Sequence, residues 1–197
     1  MKLPAHLIPR GMKVVLVNPG EYYASREPLI IQTLLGSCVS ACLYDREAQV
    51  GGLNHFLLAS PKYLKSSTLI TSDAGRYGIH AMELLINDLM KKGAKRTSLR
   101  AKVFGGASVL GFSGDDFFKV PELNQRFILE FLETERIPME AGDLGGTRGR
   151  VIYFNTKNLE VTLRYIADGK TKEVEKDERT YWLKKTREPD SSQIFLF

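Results

Sequence analysis

Three features of the sequence predict one layered α/β domain, a sandwich with a mixed or mostly antiparallel sheet. Short β-rich runs recur in both halves of the chain, an amphipathic helix lies between them, and several runs are close enough in sequence to pair as hairpins. A chain of 197 residues can bury one sizeable hydrophobic core. With 43% hydrophobic and 26% charged residues, the composition is typical of a globular protein.

The first half of the chain is predicted to form strands. The polar link Asp45 to Gln49 is typical of a hairpin connection, and the polar stretch Pro61 to Gly75 predicts a long loop. The predicted strands are Lys13–Asn18, which ends at Pro19-Gly20, then Leu29–Leu35, Val39–Tyr44 and Val50–Leu58.

The second half begins with the clearest helix, predicted from Asp73 to Lys92, where Gly93 is a suitable stop. Its apolar residues repeat with the helical period: Ile79, Met82, Ile86 and Leu89. The elements predicted after it are a strand Leu99–Phe104, a helix opened by Pro121 with Leu123, Phe127 and Phe131 on one side, a turn Asp143–Gly146, and a hairpin of Val151–Asn155 with Glu160–Ile166.

The composition changes after Ala167. Residues 168–197 carry seven Lys/Arg and seven Asp/Glu and few core residues. We therefore predict one domain over residues 1–167, followed by a charged, partly ordered tail over residues 168–197.

Several classes of protein are disfavoured. The net charge of +5 is spread along the chain, so nucleic-acid binding is not expected. The sequence has no apolar run of about 18 residues, so no membrane span is expected, and the N-terminus has no signal-peptide pattern. Two cysteines do not make a disulfide framework, which favours a cytoplasmic, reduced protein.

Cys38 is the strongest candidate for chemistry. It follows Gly36-Ser37, whose turn can direct the Cys38 N–H toward an oxyanion. If the Asp45–Gln49 link is a hairpin turn, His55 lies opposite or diagonal to Cys38 on the same face of the sheet. A histidine at that place can take the thiol proton and generate a nucleophilic thiolate. The alternative is a packed cysteine beside a structural histidine.

Metal and cofactor sites are not indicated. Cys42 lies within an apolar run and is interpreted as a small buried hydrophobe. C-x3-C has no second ligand cluster, so no metal is expected, and no cofactor is expected either. The glycine pairs lack phosphate-loop spacing and instead predict tight turns or close approach to a substrate: Gly51-Gly52, Gly105-Gly106 and Gly145-Gly146.

Taken together, the motifs resemble one family. TLLGSCVSACLYD, GGLNHFLL, AMELLINDLMKKGA after Arg76-Tyr77, AKVFGGAS and DLGGTRGRVIYFNT occur in this order between about Val14 and Ile166. This combination resembles the chemoreceptor glutamine deamidases, the CheD family of bacterial chemotaxis. One segment departs from the family pattern: in VPELNQRF, Asn124 is retained, whereas Pro121 and Leu123 replace the usual Gly and Arg.

The resemblance implies an α/β sandwich with a distantly papain-like Cys-His site. It places the nucleophile at Cys38 and the histidine at His55, with a threonine shortly before the cysteine to orient the imidazole. Thr33 is the candidate for that threonine, and Gln32 is the alternative occupant of the position. The expected substrate-binding residues are Gly36, Ser37, Arg76, Tyr77, Gly105 and Gly106.

The implied function is hydrolysis of glutamine side chains of methyl-accepting chemotaxis receptors to glutamate and ammonia. The implied partners are those receptors, through which the protein would meet the membrane, and a CheC-type phosphatase. A non-catalytic binding module for the same partners is the main alternative. A papain-like peptidase is another, and methyl-ester hydrolysis would be a related side activity.

Overall fold

The described part of the chain contains nine strands, two long α-helices, a short 3-10 helix at Arg96–Ser98 and helical residues at 176, 178–181 and 183. The computed structural model describes residues 11–58, 73–108, 120–167, 176, 178–181 and 183. The strands are β1 (Lys13–Leu16), β2 (Tyr22–Ser25), β3 (Leu29–Leu35), β4 (Val39–Asp45), β5 (Val50–Asn54), β6 (Arg100–Gly105), β7 (Met139–Leu144), β8 (Arg150–Asn155) and β9 (Glu160–Tyr165). The helices are α1 (Asp73–Lys91) and α2 (Val120–Thr134).

The strands form two sheets. The outer sheet has the order β1-β3-β8-β9, and the central sheet has the order β2-β5-β4-β6-β7. Strand β1 runs parallel to β3, and β6 runs parallel to β7, whereas the other pairs are antiparallel. The predicted α/β sandwich with mixed sheets is therefore confirmed.

Alternating side chains of β4 face two different cores. Val39, Ala41 and Leu43 pack with α1 and α2 on one side of the central sheet. Cys42 and Tyr44 point the other way, into the core between the two sheets. This alternation is the period of two expected of a strand buried on both faces. The layers are thus outer sheet, central sheet and helices.

The predicted helices agree closely with the structure. Met82, Ile86 and Leu89 are buried on α1, and Ile79 packs at the edge of the same core. Gly93 ends the helix with a positive φ of 101°, a conformation that glycine adopts readily. In α2, Leu123, Phe127 and Phe131 are buried as expected.

Two strands were not predicted, and one predicted turn is partly wrong. β2 is only four residues long, and β7 is a mostly exposed edge strand. Asp143 and Leu144 belong to β7 rather than to a turn, and only Gly145 and Gly146 take the positive φ of a turn. Parallel pairing with β6 holds β7 through backbone hydrogen bonds, which need no apolar side-chain pattern.

Other boundaries shift slightly or cannot be compared. β5 ends at Asn54, after which Phe56 makes an isolated bridge to Val39, so the predicted strand to Leu58 is shorter in the structure. The predicted loop Pro61–Gly75 lies, up to residue 72, outside the described residues. Neither described helix combines the length and hydropathy that a membrane crossing requires.

Candidate active site

Cys38 lies where the chain passes from the outer sheet to the central sheet. Residues 36–38 connect the end of β3 to the start of β4. In the hairpin of β4 and β5, Asp45 pairs with Val50 and Val39 bridges to Phe56, which makes His55 the diagonal neighbour of Cys38. Of the two registers compatible with the sequence, the structure has the diagonal one. Both side chains are buried.

Thr33 contacts the imidazole from the opposite sheet. Its Oγ1 lies 2.8 Å from His55 Nδ1 and also donates to the carbonyl of Val17 at 2.8 Å. The Val17 carbonyl can only accept, so it takes the single hydroxyl proton of Thr33. In the hydrogen bond between Thr33 and His55, Nδ1–H must therefore be the donor and Oγ1 the acceptor. Neutral His55 is therefore the Nδ1–H tautomer, and its Nε2 carries the free lone pair.

This tautomer suits a base. Among the described residues, the buried Nε2 has no hydrogen-bond partner. The Cys38 sulfur and a ring nitrogen of His55 lie within 4.8 Å of each other. A ring held this way can accept a thiol proton at Nε2 without rotating.

Gln32 lies on the other face of β3. Leu29, Ile31 and Leu35 of β3 belong to the core between the sheets, whereas Ile30 and Leu34 pack on the outer side. By the alternation of a strand, Thr33 faces His55 and Gln32 faces away. Of the two candidates, Thr33 makes the contact, and its role in catalysis stays a prediction.

The turn at residues 36–38 is fixed through its carbonyl groups. The carbonyl of Gly36 accepts from the Ala107 N–H at 2.7 Å. The carbonyl of Ser37 accepts from Asn124 Nδ2 at 2.9 Å. In a trans peptide the N–H points away from the preceding carbonyl, so these two bonds direct the N–H groups of Ser37 and Cys38 to the opposite side.

Gly105 and Gly106 support the same turn. The Gly106 N–H donates to the carbonyl of Cys38 at 2.7 Å. A Cβ at Gly105 would lie 2.1 Å from that carbonyl oxygen, and Gly105 has a φ of +115°, so glycine is required there on two counts. The observed contacts are with the Cys38 backbone, and contact of these glycines with substrate stays a prediction.

The N–H groups of the turn converge on a carboxylate from the C-terminal segment. Glu178 Oε1 accepts from Gly36 N at 2.8 Å and from Cys38 N at 3.4 Å. Glu178 Oε2 accepts from both the N–H and the hydroxyl of Ser37, each at 2.6 Å. Successive backbone N–H groups that point to one place form an anion-binding concavity, and this one is occupied by Glu178.

The buried pair is uncharged in this arrangement. Burial raises the pKa of the Cys38 thiol well above its ordinary value, and the neighbouring charge and hydrogen bond of Glu178 raise it further. Burial lowers the pKa of His55 to about 3. With Glu178 in place, a neutral thiol therefore faces a neutral imidazole. Cys42 is also fully buried, in the core between the sheets, as its sequence context predicts.

The three side chains could also be considered as metal ligands. Cys38, His55 and Glu178 offer atoms that all lie within 4.8 Å of one another, and zinc binds such donors. However, both oxygens of Glu178 already accept hydrogen bonds from residues 36–38. The carboxylate is therefore held by the anion-binding turn, and the expectation that the site works without a metal stays a prediction.

Arg76 and Tyr77 lie at the start of α1. Arg76 is exposed and Tyr77 is half-buried. The Tyr77 hydroxyl lies 3.0 Å from the hydroxyl of Tyr181, one helical turn after Glu178. Tyr77 is thus part of the surface that meets the C-terminal segment, and binding of substrate by either residue stays a prediction.

Sequence reasoning missed two residues of the site. Asn124 is buried and connects the Ser37 carbonyl to Leu58, whose N–H donates to Asn124 Oδ1 at 2.9 Å. Its retention in the VPELNQRF segment was the available signal. Glu178 is one of four glutamates in residues 168–197, and no local pattern distinguishes it from the others.

Comparison with known proteins gives a consistent result. The family described as CheD chemotactic sensory transduction matches residues 59–165, more than half of the chain. A relative named "Probable chemoreceptor glutamine deamidase CheD 1" from Geobacter sulfurreducens is 46% identical over 192 residues, covering 94% of this chain and 96% of the relative. "Probable chemoreceptor glutamine deamidase CheD 2" from Shewanella oneidensis is 48% identical over 151 residues, covering 75% and 74% of the two chains.

Among solved structures, a Neisseria meningitidis protein of the DUF152 family aligns with a TM-score of 0.44 and 11% identity. That alignment covers 69% of this chain and 65% of the other. A likeness of this size carries no argument about the site.

Proposed function

Because this chain belongs to the CheD family, we propose that it is a protein-glutamine deamidase that acts on chemotaxis receptors. The reaction adds water to a glutamine side chain and gives glutamate and ammonia. The relatives are named for this activity, and the arrangement around Cys38 supplies the groups that the reaction needs. The catalytic roles below are part of the proposal.

Cys38 is the nucleophile and His55 is the base. Nε2 of His55 takes the thiol proton as the sulfur attacks the amide carbon, so a bond forms between Sγ and that carbon. The imidazolium then returns the proton to the nitrogen, the C–N bond breaks, and ammonia leaves. His55 next takes a proton from water, which attacks the thioester and releases glutamate and the Cys38 thiol.

Thr33 and the turn at residues 36–38 position the reaction. Thr33 keeps the proton of His55 on Nδ1, and the hydrogen bond at 2.8 Å supports this role. The N–H groups of Gly36, Ser37 and Cys38 would stabilise the oxyanion of both tetrahedral intermediates. Their hydrogen bonds to a carboxylate, a group of similar charge and shape, support this role.

One observation carries the proposal. One small volume is lined by the thiol of Cys38, a ring nitrogen of His55 and three backbone N–H groups. The carboxylate of Glu178 is already bound there. A buried structural cysteine needs neither a base nor oxyanion donors. This convergence favours the enzyme over the non-catalytic binding module.

The setting of the protein follows from its substrate. Chemotaxis receptors expose their signalling regions to the cytoplasm, so we place the protein there and in contact with membranes only through receptors. Residues 1–167 would form the catalytic domain, and residues 168–197 its tail. A CheC-type phosphatase would be a further partner, because the resemblance to the family implies one.

The experiment incubates the protein with the soluble signalling region of a receptor from the same cell. Peptide mass spectrometry then identifies glutamines converted to glutamate. Cys38→Ala should abolish conversion, whereas the matched variant Cys42→Ala, which removes the other buried sulfur, should retain it.

The other outcomes separate the alternatives. Cleavage of the receptor main chain would indicate a peptidase. Conversion that persists in Cys38→Ala would refute the proposed nucleophile. A folded protein that binds the receptor or a CheC-type phosphatase without converting any glutamine would be a binding module.

A further inference from the structure

The carboxylate of Glu178 is bound as a reaction product would be. The proposed reaction converts a glutamine side chain into a glutamate side chain. In the structure, a glutamate side chain lies with both oxygens in the anion-binding turn and within 4.8 Å of the Cys38 sulfur. An amide would fit this place less well, because its NH2 group would face backbone N–H donors on either side.

The segment that carries Glu178 has helical backbone. Residues 178–181 and 183 are helical, and Glu178 is buried, whereas Thr180 is exposed. Three residues after Glu178, Tyr181 lies on the same face of the helix and meets the hydroxyl of Tyr77. The domain is thus contacted at two points one helical turn apart.

Two glycines of the domain lie directly under these points. A Cβ at Gly36 would lie 2.9 Å from Glu178 Oε2, and a Cβ at Gly20 would lie 2.2 Å from the Tyr181 hydroxyl. A larger side chain at either glycine would therefore meet the docked Glu178 or Tyr181 side chain. The surface formed by Gly20, Gly36 and Tyr77 accommodates a helix that inserts one side chain toward Cys38.

From these contacts we infer that the Glu178 segment is an internal product mimic that occupies the binding site of the substrate helix and inhibits the enzyme. This inference rests on the proposed function for the identity of the substrate. It adds that the glutamine of the substrate helix takes the place of Glu178. The residue three positions after that glutamine on the substrate helix then contacts Tyr77, as Tyr181 does in the structure.

Docking of the segment blocks the site in two ways. The Glu178 carboxylate lies within 4.8 Å of the buried Cys38 sulfur and holds the N–H groups that the substrate oxygen would need, so a substrate amide can take this place only after the segment leaves. The negative charge beside the sulfur also disfavours the thiolate. A segment that competes with substrate for one site multiplies the apparent KM by the inverse of the fraction of molecules whose site is free, and leaves kcat unchanged.

The first test needs no receptor. In a Cys42→Ala background, iodoacetamide can alkylate only Cys38. Glu178→Ala should raise the alkylation rate by about tenfold or more, because it removes the hydrogen bonds that hold the segment over Cys38 and so shifts the population toward the undocked state. The matched control is Thr180→Ala, an exposed position on the same helix whose hydroxyl donates to the carbonyl of Lys176. Equal rates in Glu178→Ala and Thr180→Ala would overturn the inference.

The second test measures deamidation of the receptor signalling region. Glu178→Ala should lower KM by about tenfold or more at similar kcat, whereas Thr180→Ala should leave both unchanged. A lower kcat at unchanged KM would mean that Glu178 assists catalysis, and would overturn the inference.

The third test converts the mimic into a substrate. In Glu178→Gln, attack of Cys38 on the side-chain amide introduced at position 178, followed by water, releases ammonia and restores glutamate. Peptide mass spectrometry of the purified variant should therefore find glutamate at this position, and the double variant with Cys38→Ala should keep the amide. An amide that persists at position 178 in a variant able to deamidate receptors would overturn the inference.

The tests also separate the inference from the proposed function. Faster alkylation in Glu178→Ala supports occlusion of Cys38 whatever the chemistry. If that unblocked variant converted no receptor glutamine, and Glu178→Gln kept its amide, the proposed deamidase activity would fail while the occlusion stood.

Discussion

Thr33→Val tests how the imidazole is held. Valine has nearly the shape of threonine but no hydroxyl. The substitution removes the hydrogen bond to His55 Nδ1 and the one to the Val17 carbonyl, both 2.8 Å long and buried. Without the threonine hydroxyl, Nδ1 loses its partner at 2.8 Å and the ring holds the Nδ1 proton less firmly. The proton can then move to Nε2, which is the nitrogen that must accept the proton of Cys38.

The size of the effect follows from these two bonds. Each buried polar group left without a partner costs about 1–3 kcal/mol, so the loss of both bonds should lower the free energy of unfolding by about 2–6 kcal/mol. A positioned general base contributes about 10²–10⁴-fold to rate, and kcat should fall within that range. Thr33→Ser is the matched control, since it keeps the hydroxyl and loses one methyl group, for about 1 kcal/mol and less than about tenfold in kcat.

Three measurements check the prediction. Urea denaturation gives the stability, and ammonia release from the receptor signalling region gives kcat. Long-range ¹H–¹⁵N NMR gives the tautomer, and with three histidines in the sequence the spectrum is simple to assign. Wild type and Thr33→Ser should show His55 protonated at Nδ1, and Thr33→Val should show a shift toward Nε2. Equal kcat in the two variants, or an unchanged tautomer in Thr33→Val, would refute the reasoning.

Three further predictions concern the support of the site. Asn124→Leu should lower the free energy of unfolding by about 2–6 kcal/mol and reduce kcat, because the Ser37 carbonyl and the Leu58 N–H lose their partners. Unchanged ammonia release would contradict this. Gly105→Ala should destabilise more than Gly146→Ala, since both have positive φ but only Gly105 has a backbone oxygen 2.1 Å from the new Cβ; equal urea midpoints would count against it. The pKa of His55 is about 3 in the fold and 6.5 ordinarily, so the unfolded chain binds more protons between these values, and stability is lost as pH falls through them. Wild type should lose about 3 kcal/mol more than His55→Asn between pH 7 and pH 4, measured by urea denaturation, and parallel losses would disprove burial of a neutral ring.

The fold was predictable where side-chain patterns are strong. β3 has the predicted bounds, and α1 ends one residue early, because both elements bury a regular apolar pattern. β2 and β7 were not predicted. β7 is held by backbone pairing at a sheet edge, and its sequence, MEAGDL, has no buried apolar face to signal a strand.

The same contrast holds for the site. Cys38 and His55 could be placed together from the length of one hairpin, since pairing across a short turn is a local property. The contact between Thr33 and His55 joins two different sheets, and no local pattern in the residues fixes how sheets face each other. Glu178 lies about 140 residues from the turn it occupies, in a segment whose charges balance, so only the three-dimensional structure reveals its place.

The contact of Glu178 follows from the requirements of the proposed chemistry. A turn that stabilises an oxyanion also binds carboxylates, and hydrolysis of glutamine makes a carboxylate at that very turn. A deamidase with such a turn must release its product although the N–H groups of the turn bind the product carboxylate. A glutamate tethered to the same chain is present at an effective concentration of about a millimolar, far above that of a free receptor in most assays. The tethered group should therefore dominate the site unless its docking is weak or a partner withdraws the segment. For this reason Glu178→Ala should change KM, not kcat.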